Sequence, residues 1–302
     1  MNISRQLQRL ALNEDINFLL TNRVPRAALT RFMGWFSRIR HPWVRDASMA
    51  VWRTFTDLDL SEARRSSFAS LHDCFVRELK PGVRPLEARA EVLVSPCDAI
   101  VGACGRIGDD PGAQVFQAKG FPYPLTDLLG QGAHATALID QLRGGTFVTL
   151  RLTSSMYHRF HAPTGATLHH VTYHSGDTWN VNPIALKRIE RLFCKNERAA
   201  LHLTLDDGTP LLLVPVAAIL VASMRLRAVD VALNAQYRGP HQLPCHARYD
   251  KGDEMGWFEH GSTILVFTPP GFALCHGVEN GHRIRMGEAL LQTSAHTSTE
   301  DT

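Results

Sequence analysis

The chain of 302 residues is long enough to fold as one large domain or as two smaller ones. A hydrophobic content of 44% and a charged content of 20% exclude a disordered protein. The formal net charge of +3 is unevenly distributed, because the first fifty residues carry a net charge of +5 and the remainder carries −2. The basic surplus is therefore a property of the N-terminal segment.

Six cysteines are present, and none belongs to a Cys-x-x-Cys pair. A chain of this length does not need disulfides for stability, so we expect reduced thiols and a cytosolic setting. The polar N-terminus lacks the apolar segment of a secretory signal. The longest apolar run, Leu211–Met224, has 14 residues and contains Pro215, so it is too short to span a bilayer.

Residues 1–60 are predicted to be helical. One apolar stripe recurs at three- and four-residue spacing, formed by Leu29, Phe32, Met33, Phe36 and Ile39. Arg31 and Arg38 lie off that stripe. Trp35 and Trp43 add amphipathic indole rings, each with an apolar body and one N–H donor. Such an amphipathic helix can lie in a membrane interface, or it can pack on the core of its own protein, and both interpretations stay open.

A second helix is predicted over about Ser61–Leu79, ending before Pro81. From about Leu86 to Phe267, strand-like runs alternate with Gly and Pro turns, and Asp207-Gly208 between two runs indicates a hairpin. The predicted strands are Glu91–Val94, Ala99–Ala103, Thr146–Leu152, Leu168–Tyr173, Ala200–Leu205, Leu211–Met224 and Thr263–Phe267. One helical insertion is predicted over Leu125–Leu129 and Ala133–Arg143. The fold class is therefore α+β, with a mainly antiparallel β-sheet catalytic domain preceded by N-terminal amphipathic helices.

The segment Tyr157–Pro163 follows a predicted strand and contains His158 and His161. Two histidines three residues apart can be metal ligands, acid–base residues or parts of a surface loop. A zinc site needs a third and a fourth ligand. His169 and His170 have the right chemistry, but on a strand they would point to opposite faces. No metal is therefore assigned.

Asp98 and Ser262 also lie where strands end or begin. An aspartate at a strand end can accept the N–H of a histidine and stabilise its imidazolium form, although it can equally cap a turn. Gly261-Ser262-Thr263 looks like a tight turn before a strand. Asp98, His161 and Ser262 together offer a carboxylate, a base and a nucleophile. Ser262 lacks the Gly-x-Ser-x-Gly frame of many serine hydrolases, which speaks against a plain hydrolase.

Taken together, several segments resemble the phosphatidylserine decarboxylases, a pyruvoyl-dependent family. The resemblance runs from about residue 68 to residue 290, with its motifs in the family's order. The motifs are Phe75–Pro85, Val94–Asp98, Gln117–Gly120, Tyr157–Pro163, Leu192–Arg198, Lys251–Gly256 and Gly261–Thr263.

The resemblance implies that the chain cuts itself between Gly261 and Ser262. The Ser262 hydroxyl would attack the Gly261 carbonyl, with His161 matching the family's base and Asp98 its orienting acid. The serine would then become the pyruvoyl cofactor. Residues 1–60 would form a membrane-associating region and residues 61–302 the decarboxylase domain, divided into a β chain ending at residue 261 and an α chain of residues 262–302.

For the mature protein, the resemblance implies removal of CO2 from phosphatidylserine to give phosphatidylethanolamine. The pyruvoyl ketone would engage the substrate's amine and withdraw electrons, and His158 matches the residue proposed to protonate the product. The expected partners are phosphatidylserine, an anionic membrane surface and a second copy of the cleaved β/α pair, with no nucleic acid. We expect a peripheral location on the cytoplasmic face of the cell membrane.

The chain departs from the family pattern at Ala99, Ala217, Ile219 and Ala222, where three glycines and a threonine are usual. Added methyl groups narrow a cavity, so the shape of the substrate pocket is open to doubt. Two alternatives remain: a decarboxylase of the same fold acting on a soluble amino acid, and an unprocessed, non-catalytic homologue that binds lipid.

Overall fold

The structure is a computed structural model that describes Asp15, Phe18 and residues 25–118, 121–220, 223–234, 236–259 and 262–294. Two N-terminal helices, α1 (Arg26–Phe36) and α2 (Pro42–Phe55), confirm the helical prediction for this part of the chain. Most of residues 1–24 lie outside the described residues. In the described part, no helix combines the length and the hydropathy needed to cross a membrane.

The helix predicted over Ser61–Leu79 is wrong for most of its length. Only α3 (Leu71–Phe75) is helical, and the Ser70 hydroxyl caps it by accepting from the Asp73 N–H at 3.1 Å. The two ends of the predicted helix instead pair with each other as extended chain, with a β-bridge between Ala63 and Leu79. Serines around residue 66 compete with helical hydrogen bonds, and this tertiary pairing overrides the apolar spacing.

The described strands form mainly antiparallel sheets, as predicted. The largest has eight strands in the order β12-β7-β8-β9-β14-β5-β2-β16, and a four-stranded sheet has the order β11-β10-β13-β6. The strands are β1 (Val92–Val94), β2 (Ala99–Arg106), β3 (Gln114–Ala118), β4 (Phe121–Pro124), β5 (Thr146–Leu152), β6 (Arg159–His161), β7 (Ala166–His174), β8 (Arg198–Leu205), β9 (Pro210–Ala217), β10 (Ser223–Leu226), β11 (Val229–Asn234), β12 (Gln242–Tyr249), β13 (Glu254–Phe258), β14 (Ser262–Thr268), β15 (Phe272–Leu274), β16 (Arg283–Ile284) and β17 (Ala289–Thr293).

Within the described residues, four further helices lie between strands. The helical insertion is confirmed as α4 (Leu125–Leu129) and α5 (Ala133–Leu142), and short turns of helix form α6 (Pro183–Leu186) and α7 (Leu192–Lys195). The predicted hairpin at Asp207-Gly208 is also confirmed, because β8 and β9 pair and Gly208 has φ +88°.

Strand β14 lies between β9 and β5 in the middle of the large sheet, and all its residues are buried. Ile264 and Val266 pack in the core on one side, and Leu265 and Phe267 pack in the core on the other. A strand covered on both faces favours apolar residues on both sides, which explains the continuous apolar run Ile264–Phe267.

The run predicted as one strand, Leu211–Met224, is two strands in different sheets. Strand β9 ends at Ala217 in the large sheet, and β10 begins at Ser223 in the four-stranded sheet. Leu220, in the connection between them, has φ +88°, which is unusual for a residue with a side chain. Its N–H donates to the Thr30 hydroxyl at 3.2 Å, so this connection is bound to α1.

Candidate active site

Ser262 is the first residue of β14 and lies opposite Leu152 of β5 and Ala217 of β9. It is fully buried, and its Oγ has no hydrogen-bond partner among the described residues. Its side chain shares the face of the sheet that carries Leu152, Ala217 and Ile264, which belong to the larger core. Gly261, the other predicted cleavage residue, lies outside the described residues.

His158 immediately precedes β6, and its carbonyl accepts a hydrogen bond from the Phe258 N–H at 3.0 Å. Its Nδ1 donates to the Met156 carbonyl at 2.8 Å, so Nε2 is the nitrogen without a proton. That Nε2 is buried and has no partner in the described part of the chain. Burial lowers the pKa of His158 to about 3, so the ring is neutral near pH 7. The site therefore contains an unengaged base.

His161 is the last residue of β6 and occupies a different environment. Its Nδ1 donates to the Gly252 carbonyl at 2.8 Å, and its Nε2 accepts from the Tyr157 hydroxyl at 3.0 Å. Burial lowers its pKa as well. Both of its nitrogens are already engaged, in contrast with His158.

Asp98 follows β1 and is nearly buried. Its carboxylate accepts two hydrogen bonds from Arg84, at 2.9 and 2.6 Å, and one from the Met286 N–H at 2.9 Å. The expectation that Asp98 accepts the N–H of His161 is therefore wrong in this structure. The physical reason is the buried Arg84, whose guanidinium binds a carboxylate with two charge-assisted hydrogen bonds that a neutral imidazole cannot match.

His158 is linked by a hydrogen bond to Phe258, in the segment that leads towards β14, and it occupies a different environment from His161 and Asp98. His158 and Phe160 lie on the same side of β6, and Phe160 packs on Phe258, four residues before Ser262. His161 lies on the other side, where Arg84 and Tyr157 stand between it and Asp98 along two neighbouring cavities. The catalytic roles of the four residues stay predictions.

Comparison with known proteins identifies the family. The family model described as phosphatidylserine decarboxylase matches residues 71–292. This chain belongs to that family. The resemblance predicted from the motifs is thereby confirmed.

Relatives cover nearly the whole chain. The phosphatidylserine decarboxylase proenzyme of Saccharophagus degradans is 32% identical over 94% of this chain and 100% of its own length. The proenzyme of Brevibacillus brevis is 32% identical over 91% of this chain and 97% of its own, and that of Bordetella pertussis is 34% identical over 88% and 90%. The printed word "proenzyme" describes those relatives as precursors.

Two residues of the family motif Leu192–Arg198 support the strand beside Ser262, a role that the sequence did not reveal. The Glu197 carbonyl accepts from the Ala217 N–H at 2.8 Å, and the Asn196 amide donates to the Ala217 carbonyl at 2.9 Å. The fully buried Glu197 carboxyl accepts from the Tyr173 hydroxyl, and burial raises its pKa to about 7. Its presence in a family motif was the available signal, but periodicity gave it no role.

Two cavities flank α1 in this family member. One has a volume of about 480 Å³ and is mainly apolar, and its lining includes Met33, Phe36, Trp52, Phe75, Ser154 and Leu220. The other has a volume of about 640 Å³ and combines apolar surface with charged and polar groups, which include Arg31, Arg38, Ser223, Arg225 and Glu259. The arginines predicted to lie off the apolar stripe of α1 therefore face a separate cavity.

The candidate site holds no evident ligand set for a metal. Within the described part of the chain, no group of three or more His, Cys, Asp or Glu side chains could hold a metal ion as the side chains stand. The unpartnered Ser262 hydroxyl and the unpartnered nitrogen of His158 instead fit a covalent group formed from the serine itself.

Proposed function

We propose that this protein decarboxylates phosphatidylserine to phosphatidylethanolamine through a pyruvoyl group that it makes from its own Ser262. The observation that carries the proposal is the buried Ser262 hydroxyl, which has no partner among the described residues and lies at the start of a central strand. A buried hydroxyl without a hydrogen bond costs about 1–3 kcal/mol, and the neighbouring Thr263 hydroxyl shares this state, so it is the family motif that singles out Ser262. Family membership supplies the reaction class.

In the proposed self-cleavage, Ser262 Oγ attacks the Gly261 carbonyl and gives an ester. Elimination of the ester then releases the β chain with a carboxylate at Gly261 and leaves dehydroalanine at the start of the α chain of residues 262–302. Water would hydrolyse that enamine to the pyruvoyl group and release ammonia. A serine hydroxyl needs a base for this attack. We retain His161 as the proposed base and Asp98 as its supporting acid, because both match the family motifs. The unpartnered nitrogen of His158 makes that residue the second candidate for the base.

Once formed, the pyruvoyl group would supply an electron sink for decarboxylation. The substrate's ammonium must lose a proton before its nitrogen can react, and His158 Nε2 could hold that proton only transiently, because burial lowers the pKa of the ring. Burial favours the neutral ring, so His158 would readily return the proton to the carbon that loses CO2. The hydrogen bond from Nδ1 to the Met156 carbonyl fixes the tautomer that this role requires.

The lipid substrate gives the N-terminal helices a function. Large apolar side chains of α1 and α2 are exposed, among them Trp35 at 64%, Trp43 at 83% and Phe55 at 69%. Rings of this kind at the surface of arginine-bearing amphipathic helices suit a membrane interface, and the apolar cavity beneath them suits acyl chains. We place the protein peripherally on the cytoplasmic face of an anionic membrane, as a dimer of cleaved β/α pairs.

The deciding experiment is an intact-mass measurement combined with an assay of the same sample on phosphatidylserine vesicles. We expect a small fragment of 41 residues with a blocked N-terminus, a large fragment, and release of CO2. The Ser262→Ala variant should remain one chain close to 33.6 kDa. A wild-type protein that stays at full mass would disprove processing and support the non-catalytic alternative.

The substrate class has its own control. Free serine and other soluble amino acids are assayed beside the lipid. Conversion of a soluble amino acid without conversion of the lipid would favour the alternative of a soluble substrate. Flotation with anionic vesicles, before and after deletion of residues 1–60, tests the membrane region, which has no such role if flotation is unchanged.

A further inference from the structure

The lining of the cavity of about 640 Å³ beside α1 carries a net positive charge. Arg31 and Arg38 enter it from α1 and the segment after it, and Arg225 enters it from β10. The carboxylate of Glu259 is the acidic group in its lining, so the lining carries a net charge of +2. A concave surface with this excess charge attracts anions.

Glu259 does not neutralise this surface. It accepts from Arg38 at 2.7 Å and from Arg225 at 3.4 Å, so one carboxylate is shared between two guanidinium groups. Arg31 has no ion pair in the described part of the chain. His72, whose Nε2 lies 3.9 Å from Glu259, is kept neutral near pH 7 because burial lowers its pKa.

A buried donor without a partner lies in the same cavity. Ser223 is 5% exposed, and its Oγ has no hydrogen-bond partner among the described residues. Its carbonyl accepts from the Glu259 N–H at 3.1 Å, which holds the hydroxyl beside the arginines. A hydroxyl and guanidinium groups together form the donor set that a phosphate oxygen requires.

The cavity is placed for an amphiphilic ligand. Its wall residue Glu259 is three residues before Ser262, and α1 separates it from the apolar cavity that contains Met33 and Phe36. A molecule with a charged head and apolar chains could therefore occupy both cavities, with its head on the side where Ser262 begins β14.

We propose that Arg38, Arg225 and Ser223 bind the phosphodiester of the lipid headgroup, a subsite that rests on the proposed function. The alternative anion on such a lipid is the carboxylate that leaves as CO2. An ion pair to that group would stabilise the ground state and slow its loss, since the charge disappears in the reaction. The phosphodiester keeps its charge throughout, so binding it strongly does not oppose the chemistry.

This assignment also explains release of the product. The substrate headgroup carries a net negative charge, whereas the product headgroup is a zwitterion without net charge. A positively charged cavity therefore binds the substrate more tightly than the product. The difference needs no change in protein conformation.

The test measures binding without turnover. The uncleaved Ser262→Ala protein is titrated with short-chain phosphatidylglycerol, a phosphodiester lipid without an amine, in neutral detergent micelles. Arg225→Gln should weaken binding at least about tenfold, as expected for loss of a charge-assisted pair. Arg227→Gln is the matched control, because Arg227 is close in sequence, loses the same charge and pairs instead with Glu254. Equal weakening by both variants would overturn the proposal.

Two further arms keep the test decisive. Arg225→Lys retains the charge and should recover part of the affinity. The Arg225→Gln change is also made in protein that keeps Ser262, where cleavage like that of the wild type shows that the fold is intact. Inorganic phosphate that displaces the lipid at equal concentration would identify a simple anion site and refute headgroup binding. In the active enzyme we expect KM for phosphatidylserine to rise while kcat changes little. An unchanged KM in an enzyme that does decarboxylate the lipid refutes the subsite alone, whereas an inactive wild type refutes the proposed function.

Discussion

The two histidines of one motif lie in opposite surroundings, although only three residues separate them. His158 faces the interior with an unpartnered nitrogen, and His161 lies on the other side of β6 with both nitrogens engaged. Side chains alternate along a strand, so an odd separation sends two residues to opposite faces. The sequence alone would give the two histidines of this motif similar roles. Their odd spacing puts them in different surroundings, so different roles are expected.

The largest expected effect is a loss of activity when His158, the histidine that faces the interior, is replaced. His158→Gln should lower kcat by about 10²–10⁴-fold, as expected for loss of a group that transfers protons. The measurement is decarboxylation by protein whose cleavage has been checked by mass. His169→Gln, at an exposed histidine of β7, is the control and should retain activity. Near-normal turnover by the His158 variant would show that the unpartnered nitrogen of His158 has no role in decarboxylation, and the proposed difference between His158 and His161 would fail.

The next largest effect is a loss of stability when Asp98, on the side of β6 that carries His161, is replaced. Asp98→Asn removes one of the two carboxylate partners of Arg84, the other being Glu62, and should destabilise the fold by about 1.5–3 kcal/mol, as expected for loss of hydrogen bonds to a charged group. Thermal unfolding of uncleaved protein, in the Ser262→Ala background, measures this loss without interference from processing. Cleavage is measured separately, in protein that retains Ser262. If Asp98→Asn leaves stability unchanged but prevents cleavage, Asp98 acts in the chemistry and not mainly through its ion pair.

The third effect is a pH-dependent change in stability that is due to the buried Glu197. The folded protein raises the pKa of Glu197 from 4.5 to about 7, so the fold favours the protonated carboxyl. This contribution is complete below about pH 4.5 and is lost as the pH rises through 7, on the order of 2–3 kcal/mol. Melting curves at about pH 5.5 and pH 8.5 should show a smaller decline for Glu197→Gln than for wild type. Equal declines would contradict the assignment.

The smallest effect should come from Tyr157→Phe. It removes the hydrogen bond to His161 Nε2 and should cost about 1 kcal/mol of stability. It also frees that nitrogen, so the rate of self-cleavage, followed by gel electrophoresis after synthesis, reports whether His161 is the base. A rate that changes neither up nor down would favour His158 for that step.

Much of the fold could be predicted because buried strands leave a strong local signal. Strand β5 was predicted with its observed bounds, Thr146–Leu152, and β14 within one residue at either end. The break between β9 and β10 was missed, because residues 211–222 carry only apolar side chains and no Gly marks the connection between the two sheets. The helix predicted over Ser61–Leu79 failed because a long-range pairing, between Ala63 and Leu79, overrode local spacing.

The candidate site was predictable in its residue types but not in its arrangement. Ser262, His158, His161 and Asp98 were found through motifs, yet the sequence could not show that Arg84 holds Asp98. The arginine cavity was also hidden, because Arg38, Arg225 and Glu259 are separated by more than thirty residues from one to the next. Contacts of that kind depend on the tertiary fold and leave no local pattern.

The position of β14 has a consequence for the life of the cleaved protein. Cleavage before Ser262 would leave the middle strand of the large sheet on the smaller fragment, paired on one side with β9 and on the other with β5 of the larger fragment. The two pieces would therefore stay together while folded. Once melted apart, they would have to find each other in solution, so recovery would depend on concentration and heat inactivation would be effectively one-way.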